Sequence, residues 1–178
     1  FENGRMKQRY EGQAVNLQGL PWPRRELYQR HYFLQLVSAS RGCQYRCEFC
    51  SQWKLEGGRY RARPPEDFLD ELEATTRLSF PQSWSLQPLF FTDENVYTDR
   101  EWALSLFGGM AERGLRRPYA VQASINVADD EELLAALKGS GCVSILIGFE
   151  SISEQSLRVL RKGVNLRTGV DHFKEKVA

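Results

Sequence analysis

The segment "SRGCQYRCEFCSQW", residues 40–53, holds three of the four cysteines in the 178-residue chain. Three residues separate Cys43 from Cys47, and two separate Cys47 from Cys50. Three thiols are an odd number for disulfides, and a closed structural zinc site needs four ligands. The segment therefore predicts a site that is one protein ligand short.

The pattern around the cysteines is a repeated alternation of strand and helix. Mostly apolar runs predict buried strands at residues 31–40, 86–96, 119–127 and 142–151. Helical patterns follow them at residues 63–78, 98–114, 129–141 and 151–163, the second opening with a Thr98–Glu101 capping box. This alternation predicts βαβ units and a parallel sheet covered by helices.

The fold class that follows is α/β, a partial (β/α) barrel of parallel strands. A complete eightfold barrel needs about 250 residues, and four units are visible here, so we expect a truncated barrel. A doubly wound sheet is the competing architecture, because one sequence does not reveal strand order. Residues 1–30 are polar and contain Pro21 and Pro23, which favours a linker or the end of an upstream domain. The core is then expected at residues 31–178, in a fragment or processed product, since the chain begins with Phe1 rather than Met.

Composition narrows the class of protein. The net charge of +1 is too small to attract the whole protein to nucleic acid or to an anionic membrane surface. No apolar run approaches the ~18 residues that a membrane span needs. Arg-rich stretches at residues 24–25, 59–63 and 116–117 are expected to be solvated faces or local anion contacts. Crowded cysteines do not suggest a secreted disulfide framework, so a cytoplasmic protein with free thiols is predicted.

Polar residues recur where the predicted strands end. They are the cysteines after the first strand, Asp93, Glu94 and Asn95 after the second, Ser124 and Asn126 after the third, and Glu150 and Ser151 after the fourth. Ligands of parallel α/β folds bind at this edge of the sheet. Any one of these residues could instead be a helix cap or a loop polar group, but four clusters at one edge favour a site.

The cysteine spacing leaves a choice of metal. Cys142, His31 and His172 are remote from the segment, and Cys142 is expected to be a small core residue. A [4Fe–4S] cluster bound by three thiolates keeps one iron open, as catalytic metal sites keep an open position. We therefore favour a cluster whose fourth iron takes a small molecule.

The motif C43-x3-C47-x2-C50, with Phe49 before the third cysteine, resembles the signature of radical S-adenosylmethionine (radical SAM) enzymes. The resemblance implies a [4Fe–4S] cluster on the three cysteines, with S-adenosylmethionine on the fourth iron. One electron from the cluster then cleaves the sulfonium to methionine and a 5′-deoxyadenosyl radical, which abstracts hydrogen from a substrate.

The same resemblance assigns further residues to S-adenosylmethionine. Asp93, Glu94 and Asn95 would hold the methionyl amino group, although the two glycines usual in that family motif are absent. Phe49 would lie beside the adenine and Glu150 near the ribose. Ser124 and Asn126 are additional candidates at the same edge.

Residues 20–27, 91–110 and 122–157 resemble the radical SAM subgroup that carries an N-terminal cobalamin-binding domain, such as hopanoid C-2 methylases. This implies methylation of an unactivated carbon, a small-molecule substrate, and an electron donor such as flavodoxin or ferredoxin. Three alternatives stay open: methylthiotransferase or other radical chemistry, a non-catalytic iron–sulfur module, and a plain α/β domain with incidental cysteines.

Overall fold

The computed structural model describes residues 14–27, 33–76 and 87–176, together with Met6 and Gly12. The strands are β1 (Gln35–Val37), β2 (Ser40–Arg41), β3 (Arg61–Ala62), β4 (Leu89–Phe91), β5 (Tyr119–Ala123) and β6 (Cys142–Ile147). The helices are α1 (Gln52–Leu55), α2 (Pro65–Thr76), α3 (Arg100–Glu112), α4 (Glu131–Ser140), α5 (Glu154–Val159) and α6 (Gly163–Thr168). None of the helices in these ranges is long and apolar enough to cross a membrane. The predicted element ends at residues 31–32, 77–78 and 86 lie outside the described residues.

Four of the strands form a parallel sheet in the order β1, β4, β5, β6. Leu36 of β1 lies beside Phe90, Phe90 beside Ala120, and Ala120 beside Ser144. Each strand is added on the same side of the one before it, so right-handed crossovers place the connecting helices on one face. A doubly wound sheet would reverse this order partway, so the described strands confirm the predicted α/β fold with the wall of a partial barrel.

The core lies between the sheet and the helices. Phe91 of β4 is fully buried, and its ring centroid lies 5.5 Å from that of Phe68 in α2 and 5.7 Å from that of Phe107 in α3. Successive strand residues point to opposite faces. Leu36 of β1 and Leu146 of β6, for example, are 61% and 44% exposed. The helices thus cover one face of the sheet, and among the described residues the side chains of Leu36 and Leu146 on the other face are largely exposed.

Helix boundaries differ from the predictions in two places. The N-cap of α3 is Asp99, whose carboxylate accepts a hydrogen bond from the Trp102 amide at 3.1 Å, so the predicted Thr98–Glu101 capping box is wrong by one residue. The single helix predicted at 151–163 is interrupted after Val159, because Arg161 takes a left-handed conformation with φ of 52°. The chain can therefore start α6 at Gly163 in a new direction.

The segment before β1 packs against α2. Leu17 is buried, and the Trp22 indole donates to the Asp67 carboxylate at 3.0 Å. Arg25 forms an ion pair with Glu71, a residue that is only 2% exposed. This part of the predicted linker is therefore integrated with the core, whereas the expected boundary at residues 30–31 lies outside the described ranges.

Each Arg-rich stretch combines an exposed arginine with a buried one. The expectation of solvated faces holds for Arg24, Arg59 and Arg116, and the buried arginine of each stretch departs from it. Arg25 and Arg63 both form ion pairs with Glu71 in the interior. Arg117 is also buried, and its guanidinium donates to the Gln87 carbonyl at 2.5 Å. Because buried charges persist only with partners, these arginines hold segments of the chain together rather than face solvent.

Candidate functional site

The carboxyl ends of the four parallel strands surround one cavity of about 280 Å³. It is lined by Cys43, Tyr45, Cys47, Phe49, Cys50, Gln52, Thr92, Glu94, Asn95, Gln122, Ala123, Ser124, Leu146, Gly148, Glu150 and Lys162. The segments that follow all four strands of the sheet contribute side chains to it. The polar groups at the strand ends therefore meet at a single site, as parallel topology leads one to expect.

The cysteine loop is closed at its base by a small antiparallel ribbon. Ser40 pairs with Ala62, and Arg41 pairs with Arg61. Gly42 has φ of 89°, and a Cβ there would overlap the Arg59 carbonyl oxygen, so this position requires glycine. The sequence did not predict the ribbon, since strands of two residues carry no readable periodicity.

The three thiols of the motif are free and lie around the cavity. Cys47 is 6% exposed, and Cys43 and Cys50 are half-buried. Burial raises the pKa of the Cys43 and Cys47 thiols, while the nearby Lys162 ammonium acts in the opposite direction. Binding an electrophilic metal centre would release these protons and stabilise the thiolates.

The donor set fits a cluster better than a single ion. Among the described residues, no three His, Cys, Asp or Glu side chains surround one point closely enough to hold a lone metal ion. A [4Fe–4S] cluster carries each thiolate on a different iron, so its ligands are spread apart around the cluster. Three thiols distributed over the wall of one cavity match that requirement.

The fourth cysteine and the described histidine lie away from this cavity. Cys142 at the start of β6 packs against the main hydrophobic core, and its thiol lies 3.4 Å from the Ser144 carbonyl oxygen. Cys142 thus packs beside the core, as the sequence predicts, but it is only partly buried. His172 is exposed and lies 2.9 Å from the Glu175 carboxylate, whereas His31 is outside the described residues.

Asp93 faces away from the cavity, unlike its two neighbours. It is fully buried, and its carboxylate accepts hydrogen bonds from the Ala39 amide at 3.2 Å and the Ser40 hydroxyl at 2.5 Å. Desolvation raises the pKa of Asp93 to about 6, against the lowering effect of these hydrogen bonds. The side chain thus holds the turn that leads from β1 into the cysteine loop.

This raised pKa makes stability depend on pH. The ordinary pKa of aspartate is 3.8, so between about pH 4 and pH 6 the folded chain binds more protons at Asp93 than the unfolded chain does. The stability from this group is present at low pH and is lost as pH rises through 6. We expect the unfolding free energy of wild type, relative to Asp93→Asn, to fall by about 2 kcal/mol from pH 4 to pH 7. Urea unfolding of both proteins at the two pH values measures this, and a constant difference would contradict it.

Glu94 and Asn95 connect the cysteine loop to the neighbouring strands. The Glu94 carboxylate accepts a hydrogen bond from the Gly42 amide at 2.8 Å. The Asn95 amide nitrogen lies 3.2 Å from the Ser124 hydroxyl and 3.9 Å from the Cys43 sulfur. The three strand ends are therefore cross-linked by polar side chains that also line the cavity.

Ser124 and Asn126 differ in position although the sequence grouped them. Ser124 lines the cavity, and its amide donates to the Asn95 side-chain oxygen at 3.0 Å. Asn126 is not part of the cavity lining, and its buried side-chain oxygen has no hydrogen-bond partner within the described part of the chain. A direct contact between Asn126 and a ligand stays a prediction without support from its placement.

Glu150, Lys162 and Phe49 form the remaining wall of the cavity. The Lys162 ammonium lies 3.4 Å from the Glu150 carboxylate and 5.6 Å from the centroid of the Phe49 ring. Glu150 has φ of 64°, an unusual conformation for a residue with a side chain. Phe49 is 50% exposed, so its ring is accessible to a ligand in the cavity.

Sequence reasoning missed several residues that line the cavity. They are Tyr45, Gln52, Thr92, Gln122, Ala123, Leu146, Gly148 and Lys162. Lys162 lies inside the fourth helix that the sequence predicts, residues 151–163, and it lines the cavity just after the unexpected break at Arg161. Gln122 lies on the open face of β5, where strand alternation could have identified it.

Comparison with known proteins gives a consistent family. A family model described as the Radical SAM superfamily matches residues 37–175. Among curated proteins, the hopanoid C-2 methylase of Rhodopseudomonas palustris is 28% identical over 151 residues, covering 82% of this chain and 28% of that protein. The anaerobic magnesium-protoporphyrin IX monomethyl ester cyclase of Cereibacter sphaeroides is 32% identical over 132 residues, covering 71% of this chain and 20% of that protein. The chain spans less than a third of these two relatives.

Solved structures show the same fold. The radical S-adenosylmethionine methyltransferase TsrM from Kitasatospora setae, solved with cobalamin and a [4Fe–4S] cluster bound, superposes with a TM-score of 0.61 at 22% identity. That superposition covers 70% of this chain and 24% of TsrM. The cobalamin-dependent S-adenosylmethionine radical enzyme OxsB superposes with a TM-score of 0.59 at 22% identity, covering 74% of this chain and 21% of OxsB.

Proposed function

Since the chain belongs to the radical SAM superfamily, we propose that it is the cofactor-binding part of a radical SAM enzyme. Cys43, Cys47 and Cys50 would hold a [4Fe–4S] cluster, and the open iron would take S-adenosylmethionine. When bound, the cluster supplies the electron that cleaves the sulfonium of S-adenosylmethionine and so generates a carbon radical. The observation that carries this proposal is the convergence of three thiols and several complementary polar groups on one cavity.

The residues around the cavity offer both charges that the amino-acid end of S-adenosylmethionine requires. Glu94 uses its carboxylate for one amide of the cysteine loop and can also accept from the methionyl ammonium, beside the Asn95 side-chain amide. Lys162 provides a cation for the methionyl carboxylate. Asp93, which the resemblance grouped with Glu94 and Asn95, would act indirectly by holding the loop through Ala39.

The adenosine end of S-adenosylmethionine would meet a different part of the wall. The half-exposed ring of Phe49 offers a surface for the adenine, and the Glu150 carboxylate offers an acceptor for ribose hydroxyls. Ser124 adds a hydroxyl at the third strand end, and Leu146 adds an apolar surface. Apolar walls that exclude water would protect a radical from stray hydrogen donors.

Lys162 gives a direct test of this arrangement. We expect Lys162→Met to raise the Kd for S-adenosylmethionine by roughly 10- to 100-fold, since a hydrogen bond to a charged group contributes about 1.5–3 kcal/mol. Lys162→Arg, which keeps the charge, should recover part of the affinity. Equilibrium dialysis of the cluster-loaded full chain measures this under anaerobic conditions. Lys138→Met, at an exposed position in α4 far from the cavity, is the control, and equal Kd values for Lys138→Met and Lys162→Met would contradict the assignment.

The experiment that tests the whole proposal is electron paramagnetic resonance of the reduced, reconstituted full chain. A [4Fe–4S] signal whose g values shift on addition of S-adenosylmethionine would support an open iron that takes this molecule. A cluster signal whose g values do not change when S-adenosylmethionine is added would support the non-catalytic iron–sulfur module instead. Absence of any cluster after reconstitution would contradict both, and would favour the domain with incidental cysteines.

The reaction subtype that we propose is cobalamin-dependent methylation of an unactivated carbon in a small molecule. The support is the similarity to proteins named as methylases and to structures named as cobalamin-dependent. Cobalamin would be held by an upstream domain, of which residues 1–30 would be the end or the linker. Transfer of a labelled methyl group from S-adenosylmethionine, together with cobalamin absorbance, in a protein that joins this chain to the upstream domain would separate this reaction from methylthiotransferase or other radical chemistry.

The proposed activity also requires a reductant that the chain does not itself contain. We propose an electron donor such as flavodoxin or ferredoxin, which fits the expected cytoplasmic location. Donation of one electron per turnover from such a protein is compatible with a cluster held close to the surface loop.

A further inference from the structure

The cysteine loop, residues 40–62, carries an excess of positive charge. It contains five cations and two acids, whereas the whole chain has a net charge of only +1. Both acids already have partners, because Glu56 forms an ion pair with Arg61, and Glu48 lies 3.5 Å from Arg161. The positive charge of the loop is therefore not balanced by its own acids.

Three of these cations, Arg46, Lys54 and Arg59, form what we call the cationic loop face. All three are exposed, and none of them lines the cavity. Their charged atoms have no ion-pair partner in residues 14–27, 33–76 and 87–176. An exposed set of cations that lacks acids is free to meet an acidic surface from outside.

The turn after α1 gathers this face into one place. The Gly58 amide donates to the Trp53 carbonyl at 2.5 Å, so the chain folds back beside α1. The Arg46 guanidinium lies 3.7 Å from the position that a Cβ on Gly58 would take. Lys54 follows Trp53 in α1 and places its ammonium 5.2 Å from the centroid of the indole. Arg46 and Lys54 are therefore both close to the turn at residues 57–58, and Arg59 is the next residue of the chain after that turn.

The cationic loop face is connected directly to the segment that carries the thiols. Arg46 precedes Cys47 in the chain, and the Trp53 indole nitrogen donates to the Cys47 carbonyl oxygen at 3.2 Å. The same loop carries the three thiols that line the cavity and the three exposed cations that do not. A protein docked on these cations would contact the same loop that carries the cluster ligands.

We propose that the cationic loop face docks an acidic one-electron carrier protein that reduces the cluster. This inference rests on the function proposed above. In the step, one electron leaves the carrier, which is oxidised by one electron, and enters the cluster, which is reduced by one electron. No proton or other atom is transferred. Opposite charges on the two surfaces would accelerate encounter and fix the orientation of the carrier, and both effects weaken as salt screens them.

The test compares two charge-reversed variants of the full, cluster-loaded chain. Arg46→Glu with Lys54→Glu alters the cationic loop face. Arg116→Glu with Lys138→Glu changes net charge equally at exposed positions near the opposite, amino-terminal edge of the sheet. The probe is a flavodoxin of strongly negative net charge, and its Kd is measured by titration calorimetry at low and high salt. We expect the first variant to raise the Kd about tenfold at low salt and the second to change it by less than about threefold.

The remaining outcomes are equally definite. An equal rise in the Kd for flavodoxin in the two variants would overturn the proposed docking site. Flavodoxin binding that does not weaken as salt is added would also overturn it. Loss of binding to a DNA oligonucleotide in parallel with loss of flavodoxin binding would show a general polyanion surface and also overturn it. Both variants are also reduced with dithionite, a small-molecule reductant that needs no docking site. Electron paramagnetic resonance with S-adenosylmethionine added then shows whether the cluster is intact, whatever the affinity for flavodoxin. A normal signal there with unchanged flavodoxin affinity refutes the docking face alone, whereas an absent signal in wild type refutes the proposed function.

Discussion

Replacing Cys47 by alanine is expected to abolish the [4Fe–4S] cluster completely. Cys47 is the most buried of the three thiols, and the motif has no spare cysteine nearby to replace it. A cubane held by two thiolates leaves two irons without protein ligands and open to loss into solution. After anaerobic reconstitution of the full chain, iron content and the paramagnetic signal should fall from four irons per chain to background.

Cys142→Ala provides the matched control for this experiment. It also removes one thiol, but from β6 and the hydrophobic core rather than from the cavity. We expect it to keep the full iron content and the S-adenosylmethionine-dependent signal. Normal cluster content in Cys47→Ala, or loss of the cluster in Cys142→Ala, would show that the ligand set has been assigned wrongly.

Replacing Glu71 by glutamine is expected to lower the free energy of unfolding by about 3–5 kcal/mol. Glu71 is the common partner of Arg25 and Arg63, and all three residues are buried. Without the Glu71 charge, the guanidinium groups of Arg25 and Arg63 would stay in the interior without a counter-charge. The penalty for these unpaired buried charges is larger than the net stabilisation that the ion pairs give. The measurement is equilibrium urea unfolding of wild type and variant at neutral pH.

Glu66→Gln on the same helix is the control for the Glu71 variant. The Glu66 carboxylate is 72% exposed and lies 3.5 Å from Arg113. Surface pairs of this kind contribute little, so we expect a change below about 0.5 kcal/mol. Similar destabilisation by the two substitutions would mean that the buried network has no special role in fixing the segment before β1.

The features predicted from the sequence are those encoded in contiguous patterns. The cysteine spacing, the four apolar runs and the polar residues at their ends are each visible within about a dozen residues. Because parallel strands share one carboxyl edge, those local patterns were enough to predict that Glu94, Ser124 and Glu150 approach the three cysteines.

The features that were missed depend on tertiary context. Asp93 turns inward because the buried turn at Ala39 needs an acceptor, and Asp93 and Glu94 look alike in sequence. Lys162 reaches the cavity only because Arg161 breaks the helix, which propensity does not indicate. Arg63 and Arg25 look like surface charges until Glu71, in a different segment, is brought between them.

Because the strands lie in the sheet in the order of the chain, the wall of the cavity is completed step by step during translation. The three thiols belong to the first βα unit. The Gly42 amide, beside them, forms its hydrogen bond with Glu94, which lies 52 residues further along the chain and is synthesised later. Glu150 and Lys162 belong to the fourth unit and leave the ribosome later still. The nascent chain therefore passes through a period in which oxidisable thiols are uncovered and no wall surrounds them. Until the fourth unit has been translated, the three thiols are therefore more open to oxidation than they are in the folded chain.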